Sequence, residues 1–316
     1  MKTLLKEIAL ALILGIMIPG LILNTAVKFG RYGQDRNDET EVIFYTQPEE
    51  VIRIRVLEDD GTVAILELDE YITGVVLAEM PASFEVEALK AQAVVARTYT
   101  MRAKNGKSKH NDADVCTEST CCQAYRMPVP KSEEVEKVHS AVLDTSWEVL
   151  TYNGELIEAT YFSCSGGSTE DAVAVWGTDV PYLVATESPG EEKATHYSDQ
   201  VSITPEAFLE ALSLESSQSP ERWFGKVTYT AGGGVDTMVI CGKTFKGTDL
   251  RKLLNLRSTA ITIKTRKDEV LITTRGYGHR VGMSQYGADA MALDGYSYDE
   301  ILSHYYKGTE LTTLPH

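Results

Sequence analysis

The sequence predicts an α+β protein: an N-terminal transmembrane helix, then an extracytoplasmic domain of mixed helices and antiparallel strands with a strand-rich subdomain. Three observations carry this. Ile8 to Val27 contains no charged residue, enough at about 1.5 Å per residue to cross a hydrocarbon core of roughly 30 Å. Residues 69–99 show helical periodicity interrupted at Pro81. After Trp147 the pattern turns to short apolar runs separated by turn residues.

Lys2 and Lys6 precede the apolar run, so the N-terminus is expected in the cytoplasm and everything after Lys28 outside. A cleaved signal peptide is the competing form, for which Asn24-Thr25-Ala26 offers a weak small-residue site. The expectation is a single-pass membrane protein anchored by residues 1–30. Residues 31–50 are too polar to pack and read as a tether, followed by a folded domain over 51–316. The net charge of −16 without any Lys/Arg run excludes a nucleic-acid or anionic-membrane surface, because phosphate binding depends on clustered cations.

Val51–Leu57 and Val63–Leu68 alternate around Asp59-Asp60-Gly61, a hairpin pattern. If Asp69 caps a short helix that Pro81 stops, Ile72, Val75, Val76 and Glu79 share one apolar face. Glu79 then points inward, and a desolvated carboxyl holds its proton toward neutrality, as a general acid must. The bland alternative is a helix-end Glu that reaches solvent or pairs with Arg97. Glu85–Tyr99 reads as a second helix with Leu89, Gln92, Ala93 and Ala96 on one face. From it Gln92 and Arg97 could orient the acid, bind substrate or satisfy buried backbone.

His110, Cys116, Cys121 and Cys122 have ligand types and spacing that could hold Zn²⁺. A disulfide from Cys116 to Cys121 or Cys122 is the alternative in an oxidising exterior. No His-Glu-x-x-His pair is present, so a metal here would be structural or would organise the cleft. Cys164 and Cys241 read as buried free thiols.

Glu148–Tyr152 and Leu156–Phe162 flank the two-residue turn Asn153-Gly154. In the polar block that follows, Tyr161, Ser163, Ser165 and Thr169 could bond the hydroxyl or amide groups of a ligand, while Gly166 and Gly167 permit close backbone approach. Trp176 reads as core and Glu170 as solvated. Thr204-Pro205-Glu206 starts a helix, within a strand-rich subdomain over about 203–275 in which Gly232-Gly233-Gly234 is turn material. A glycine-punctuated loop then precedes a helix over Ala288–Leu293. In that loop His279, Ser284 and Gln285 stand closest to function.

Three blocks taken together, Ala78-Glu79-Met80-Pro81-Ala82-Ser83-Phe84 with the helix after it, Tyr161 to Glu170 with Val175-Trp176-Gly177, and Gly278 to Ala288, resemble the stage II sporulation protein D family, which also contains amidase enhancers. The likeness runs from about Val51 to the end in the family's order. It departs at Arg280, where Gly is expected, which leaves the backbone conformation there open. The resemblance implies a membrane-anchored lytic transglycosylase that cleaves peptide-stripped peptidoglycan glycan to 1,6-anhydro products during engulfment, with stage II sporulation proteins M and P as partners. It also implies zinc bound by Cys at the positions of Cys116 and Cys122 and by His at those of His110 and Cys121, so a Cys replaces one His ligand here. Glycosidases of the usual kind need two carboxylates about 5 to 10 Å apart. One strong candidate acid suits instead a reaction in which the proton given to the glycosidic oxygen is replaced from the sugar's own 6-hydroxyl. The alternative is a non-catalytic peptidoglycan-binding amidase enhancer.

Overall fold

The computed structural model describes residues 51–315. The expected anchor and tether lie outside the described residues, among which no helix is long and apolar enough to cross a membrane. The described part is α+β, its sheets antiparallel apart from two short parallel ladders.

Strands β1 (Arg53–Leu57) and β2 (Val63–Glu67) form the expected hairpin, and β3 (Val115–Cys116) runs parallel to β1. Helix α1 (Leu68–Glu79) begins without a side-chain cap. Asp69 lies in its first turn rather than at the cap, where it accepts from Ser146 Oγ at 2.9 Å and from Arg97 at 3.5 Å. Met80 N–H bonds the Val76 carbonyl, and Pro81 then has no N–H with which to extend the ladder. Helix α2 (Val86–Arg102) buries Leu89, Gln92, Ala93 and Ala96, and also Ala91, Val94 and Val95. It is therefore a core helix rather than one with a single apolar stripe, and α3 (Glu133–Asp144) packs on both it and α1.

Strand β4 (Glu148–Tyr152) pairs with β5 (Glu155–Leu156) across Asn153-Gly154, where φ is 52° and 81°, as a primed hairpin turn requires. The expected strand to Phe162 breaks after Leu156. β6 (Tyr161–Phe162) instead pairs in parallel with β13 (Met283–Ser284), while β14 (Glu310–Thr313) covers the other edge of β4. Short α4 (Ala172–Trp176) follows β6, and α7 (Gln285–Leu293) and α8 (Tyr298–Tyr305) follow β13. Helix α7 starts three residues earlier than expected because Ser284 caps it, accepting from Gly287 N–H.

The strand-rich subdomain starts earlier than expected, since β7 (Ser198–Ile203) pairs with β12 (Glu269–Arg275) and β12 with β11 (Ala260–Arg266). A second sheet orders β10 (Lys243–Lys246), β9 (Val235–Ile240) and β8 (Phe224–Tyr229). Helix α5 (Pro205–Leu212) is capped by Thr204, which accepts from Ala207 N–H at 3.2 Å, and α6 is Gly247–Leu253. This subdomain has its own core of Phe208, Trp223, Met238, Ile240, Phe245 and Ile272. A separate larger core joins α1, α2, α3, α7 and α8, and the candidate acid stands at its margin.

Candidate active site

Because α1 is buried on every face from Tyr71 to Leu77, its last turn carries Glu79 to the edge of the core, where the side chain is half-buried. The carboxyl is met by the loop that carries the cysteines. Gly74 allows that loop to close over α1: a methyl there would overlap the Tyr125 ring, which stacks on Tyr71 at 5.6 Å. Arg126 N–H bonds the Gly74 carbonyl at 3.0 Å. As a result Ala124 N–H donates to Glu79 Oε1 at 2.8 Å, and the Tyr161 hydroxyl donates to the same oxygen at 3.2 Å. Tyr161 is held in turn by Gln123, whose amide donates to it at 3.2 Å while accepting from Thr100 at 2.9 Å.

Burial raises the Glu79 pKa above the ordinary carboxylate range, opposed by Ala124 N–H, the Tyr161 hydroxyl and the Gln285 side chain. Both formed hydrogen bonds fall on Oε1, which leaves Oε2 to carry a transferable proton. The Gln285 amide nitrogen is buried and makes no formed hydrogen bond among the described residues. Arg97 does not pair with Glu79. It is wholly buried and donates to the Val142 carbonyl at 3.0 Å and the Glu148 carbonyl at 3.2 Å, with Asp69 as its acid.

Glu79 lines a cleft of about 720 Å³ together with Tyr161, Ser163, His279, Gln285 and the cysteine loop. A smaller pocket of about 170 Å³ shares Glu79, Ser163 and Gln285 and adds Phe84 and Tyr286. Trp176 is not core: it ends the five-residue α4 at the surface, 42% exposed, and lines the cleft with its ring 5.5 Å from that of His279. His279 presents its ring to the cleft. Its Nδ1 accepts from Val281 N–H at 3.1 Å, while burial lowers its pKa to about 4.

The remaining sequence candidates stand behind the cleft. Ser165, Thr169, Ser284, Gln92 and Arg97 are buried, and Gly166 and Gly167 belong to the loop that Glu191 holds. Glu191, which the sequence reading passed over, accepts from the N–H groups of Ser165, Gly166 and Gly167 at 3.2, 2.8 and 3.3 Å. It also accepts from the hydroxyls of Ser165, Ser188 and Ser284. One buried carboxylate thus fastens the central glycine motif to the C-terminal one. The signal was weak in sequence because Gly190-Glu191-Glu192-Lys193 looks like a solvated turn.

Glu170 is not solvated either. It is fully buried against Arg280, with Arg280 Nη1 donating to Oε1 at 3.0 Å and Gly234 N–H at 2.9 Å. Arg280 adopts φ 66°, the left-handed conformation that favours Gly. Its guanidinium also donates to the carbonyls of Ser165, Ser168 and Gly232. The glycine triplet is therefore a seam between subdomain and cleft as well as a turn.

The four candidate metal ligands come together. The ligand atoms of His110, Cys116, Cys121 and Cys122 lie within 4.8 Å of one another, and all five cysteines are free thiols. His110 Nε2 stands 3.4 Å from Cys122 Sγ and 3.7 Å from Cys121 Sγ, and the two sulfurs are 3.9 Å apart. A tetrahedral zinc site with ordinary bond lengths has edges of about 3.5 to 3.8 Å, so adjacent Cys121 and Cys122 can both ligate. The set fits a zinc ion.

Comparison with known proteins decides the family. The family model described as "Stage II sporulation protein" matches residues 58–152. Stage II sporulation protein D of Bacillus subtilis (strain 168) is 39% identical over 256 residues, covering 78% of this chain and 74% of that protein. The chain belongs to the stage II sporulation protein D family. The protein of the same name from Bacillus amyloliquefaciens is 38% identical over the same shares of each chain. An amidase enhancer of Bacillus subtilis is 31% identical over 77% of this chain and 40% of its own length. The family match contains α1, α2 and the cysteine loop, whereas the residues that close the cleft from the other side, Tyr161, Trp176 and Gln285, lie beyond it.

Proposed function

We propose that this chain is a membrane-anchored lytic transglycosylase of peptidoglycan acting in sporulation, with Glu79 as acid and then base. The observation that carries the reading is one partly desolvated carboxyl with a raised pKa and few donors, standing where two cavities meet. Glu79 gives its Oε2 proton to the glycosidic oxygen as the bond from C1 to that oxygen breaks. The carboxylate then accepts the proton of the same sugar's 6-hydroxyl while O6 bonds C1, closing a 1,6-anhydro ring. No water is consumed. Gln285 and Ser163, with the exposed face of Trp176, are the binding groups that the cleft offers a sugar.

His110, Cys116, Cys121 and Cys122 would hold zinc, which when bound ties the loop whose Ala124 N–H orients Glu79. The membrane anchor, peptide-stripped glycan as substrate, and stage II sporulation proteins M and P as partners belong to the same proposal. The non-catalytic alternative follows the amidase enhancer relative, but a binding module has no need of a proton-holding carboxyl in its cleft.

Mass spectrometry of products from purified peptide-free glycan tests the chemistry, since anhydro ends are one water lighter than reducing ends. Products carrying the added water would make the protein a hydrolase. The second carboxylate would then be Glu158, which lines the same cleft beside Arg102 at 3.5 Å, and not the buried Glu170.

A further inference from the structure

One group in the cleft comes from a part of the molecule to which the proposed chemistry assigns no role. His196 precedes β7 and lines both the 720 Å³ cleft and the 170 Å³ pocket. Among the described residues the linings of these two cavities share only Glu79, Ser163, His196 and Gln285, so the imidazole stands at the junction that the acid also occupies. Its Nδ1 lies 3.0 Å from Arg257 Nη1. A guanidinium has donors only, so Nδ1 must present its lone pair and the ring proton of the neutral imidazole sits on Nε2.

The arrangement that fixes this tautomer is built by the strand-rich subdomain. Arg257 is gripped by Asp199 of β7 at 3.2 Å, and its guanidinium lies over the Tyr277 ring at 5.5 Å. The His196 ring meets the same tyrosine edge-on at 5.3 Å. Gly278 N–H bonds the Arg257 carbonyl at 3.1 Å, which ties the glycine loop beside the cleft to the same residue. His279 differs, because its Nδ1 accepts from the backbone N–H of Val281 at 3.1 Å rather than from a guanidinium. Among the described residues the only hydrogen bond formed by the His196 ring is the one at Nδ1, so Nε2–H has no acceptor there.

We propose that His196 is a glycan-binding residue, held by Arg257 as a hydrogen-bond donor through Nε2, and that the strand-rich subdomain thereby supplies one of the groups that seat the sugar chain beside Glu79. The sugar offers hydroxyl and N-acetyl carbonyl oxygens as acceptors at that junction. Arg257 and Asp199 act through His196 and are positioning residues. This rests on the reading of the cleft as a glycan site, but not on the acid chemistry.

The test is binding in the full chain carrying Glu79→Gln, with a peptide-free tetrasaccharide of alternating N-acetylglucosamine and N-acetylmuramic acid as probe. Adding His196→Ala is expected to weaken binding about tenfold, the scale of one hydrogen bond. His196→Gln, whose amide nitrogen can take the place of Nε2, should bind within about threefold of the parent, and His196→Asn should be as poor as Ala. Long-range ¹⁵N spectra of the protein labelled at its six histidines should show the Nε2–H tautomer at His196, with that signature lost in Arg257→Ala while the unfolding midpoint holds. Binding by the Ala variant within twofold of the parent, or an Nδ1–H tautomer in the native protein, overturns the proposal. A parent that does not bind the tetrasaccharide overturns both this and the glycan reading. Products carrying added water, with the His196 effect intact, overturn transglycosylation alone.

Discussion

At the end of α1, Glu79 receives one backbone N–H and one phenol hydroxyl. Behind the cleft, Glu170 receives a guanidinium and a backbone N–H, and Glu191 three backbone N–H groups and three hydroxyls. Glu170 and Glu191 are buried and Glu79 is half-buried, and the three are provisioned differently. A buried carboxyl given a cation or many donors serves to fasten segments together; Glu79, given few in a desolvated place, gains from keeping its proton. The contrast teaches that burial alone does not make an acid, because the most deeply buried carboxyls here are the ones given partners.

The sharpest way to break the comparison is Glu79→Gln, which keeps shape and removes the transferable proton. Cleavage of peptide-free glycan should fall by roughly 10²–10⁴-fold, the usual worth of a general acid, with glycan affinity changed by less than a few fold. Activity kept within a few fold would leave Glu79 as merely another buried carboxyl.

Next in size is the loop that supplies the Ala124 donor. Protein purified without chelator should carry about one zinc per chain by elemental analysis, lost in Cys116→Ser and in Cys122→Ser and weakened in His110→Ala. Cys121→Ser shows whether the position that resembles a His ligand still binds. A metal-free chain with a mass about two units below the reduced form would instead mean a disulfide, against the free thiols seen here.

On the structural side, Arg280→Ala or Glu170→Gln each leaves half of a buried pair and should cost about 3 to 5 kcal/mol in denaturant unfolding. Arg280→Gly relieves the positive φ but strands Glu170, so joining it to Glu170→Gln should recover part of the loss. Single variants that lose less than about 1 kcal/mol would show that the seam is not held by this pair.

The smallest effect concerns pH. Since the folded Glu79 pKa is raised above its unfolded value, the protonated carboxyl contributes stability at acid pH that is lost as pH rises through the folded pKa. The melting temperature of Glu79→Gln relative to the parent should therefore climb as pH rises above the ordinary carboxylate range, and parent activity should fall as Glu79 loses its proton. A gap that widens toward acid would contradict the raised pKa.

Glu79 was legible because a helix writes its inward face at regular spacing and Pro81 marks the end, so a carboxyl on that face stands out within twelve residues. The Asn153-Gly154 turn, the Thr204 cap and the clustering of His110 with three cysteines were readable for the same reason: each is local chemistry. Family resemblance extended this to the Tyr161 and Gly278 blocks without saying which of their side chains face the cleft. Glu170 looked solvated between Thr169 and Asp171 because its cation is Arg280, 110 residues away. Glu191 stands in a polar turn, Trp176 has the residue type of a core position yet lies 42% exposed, and His196 belongs to no sequence pattern. Local periodicity and turn chemistry determined where the acid and the metal ligands stand in the chain. Only tertiary contact between distant segments decided which buried carboxylates acquired partners and which imidazole kept a free N–H, because solvation and hydrogen-bond supply are properties of the assembled neighbourhood rather than of the residue's own stretch of sequence.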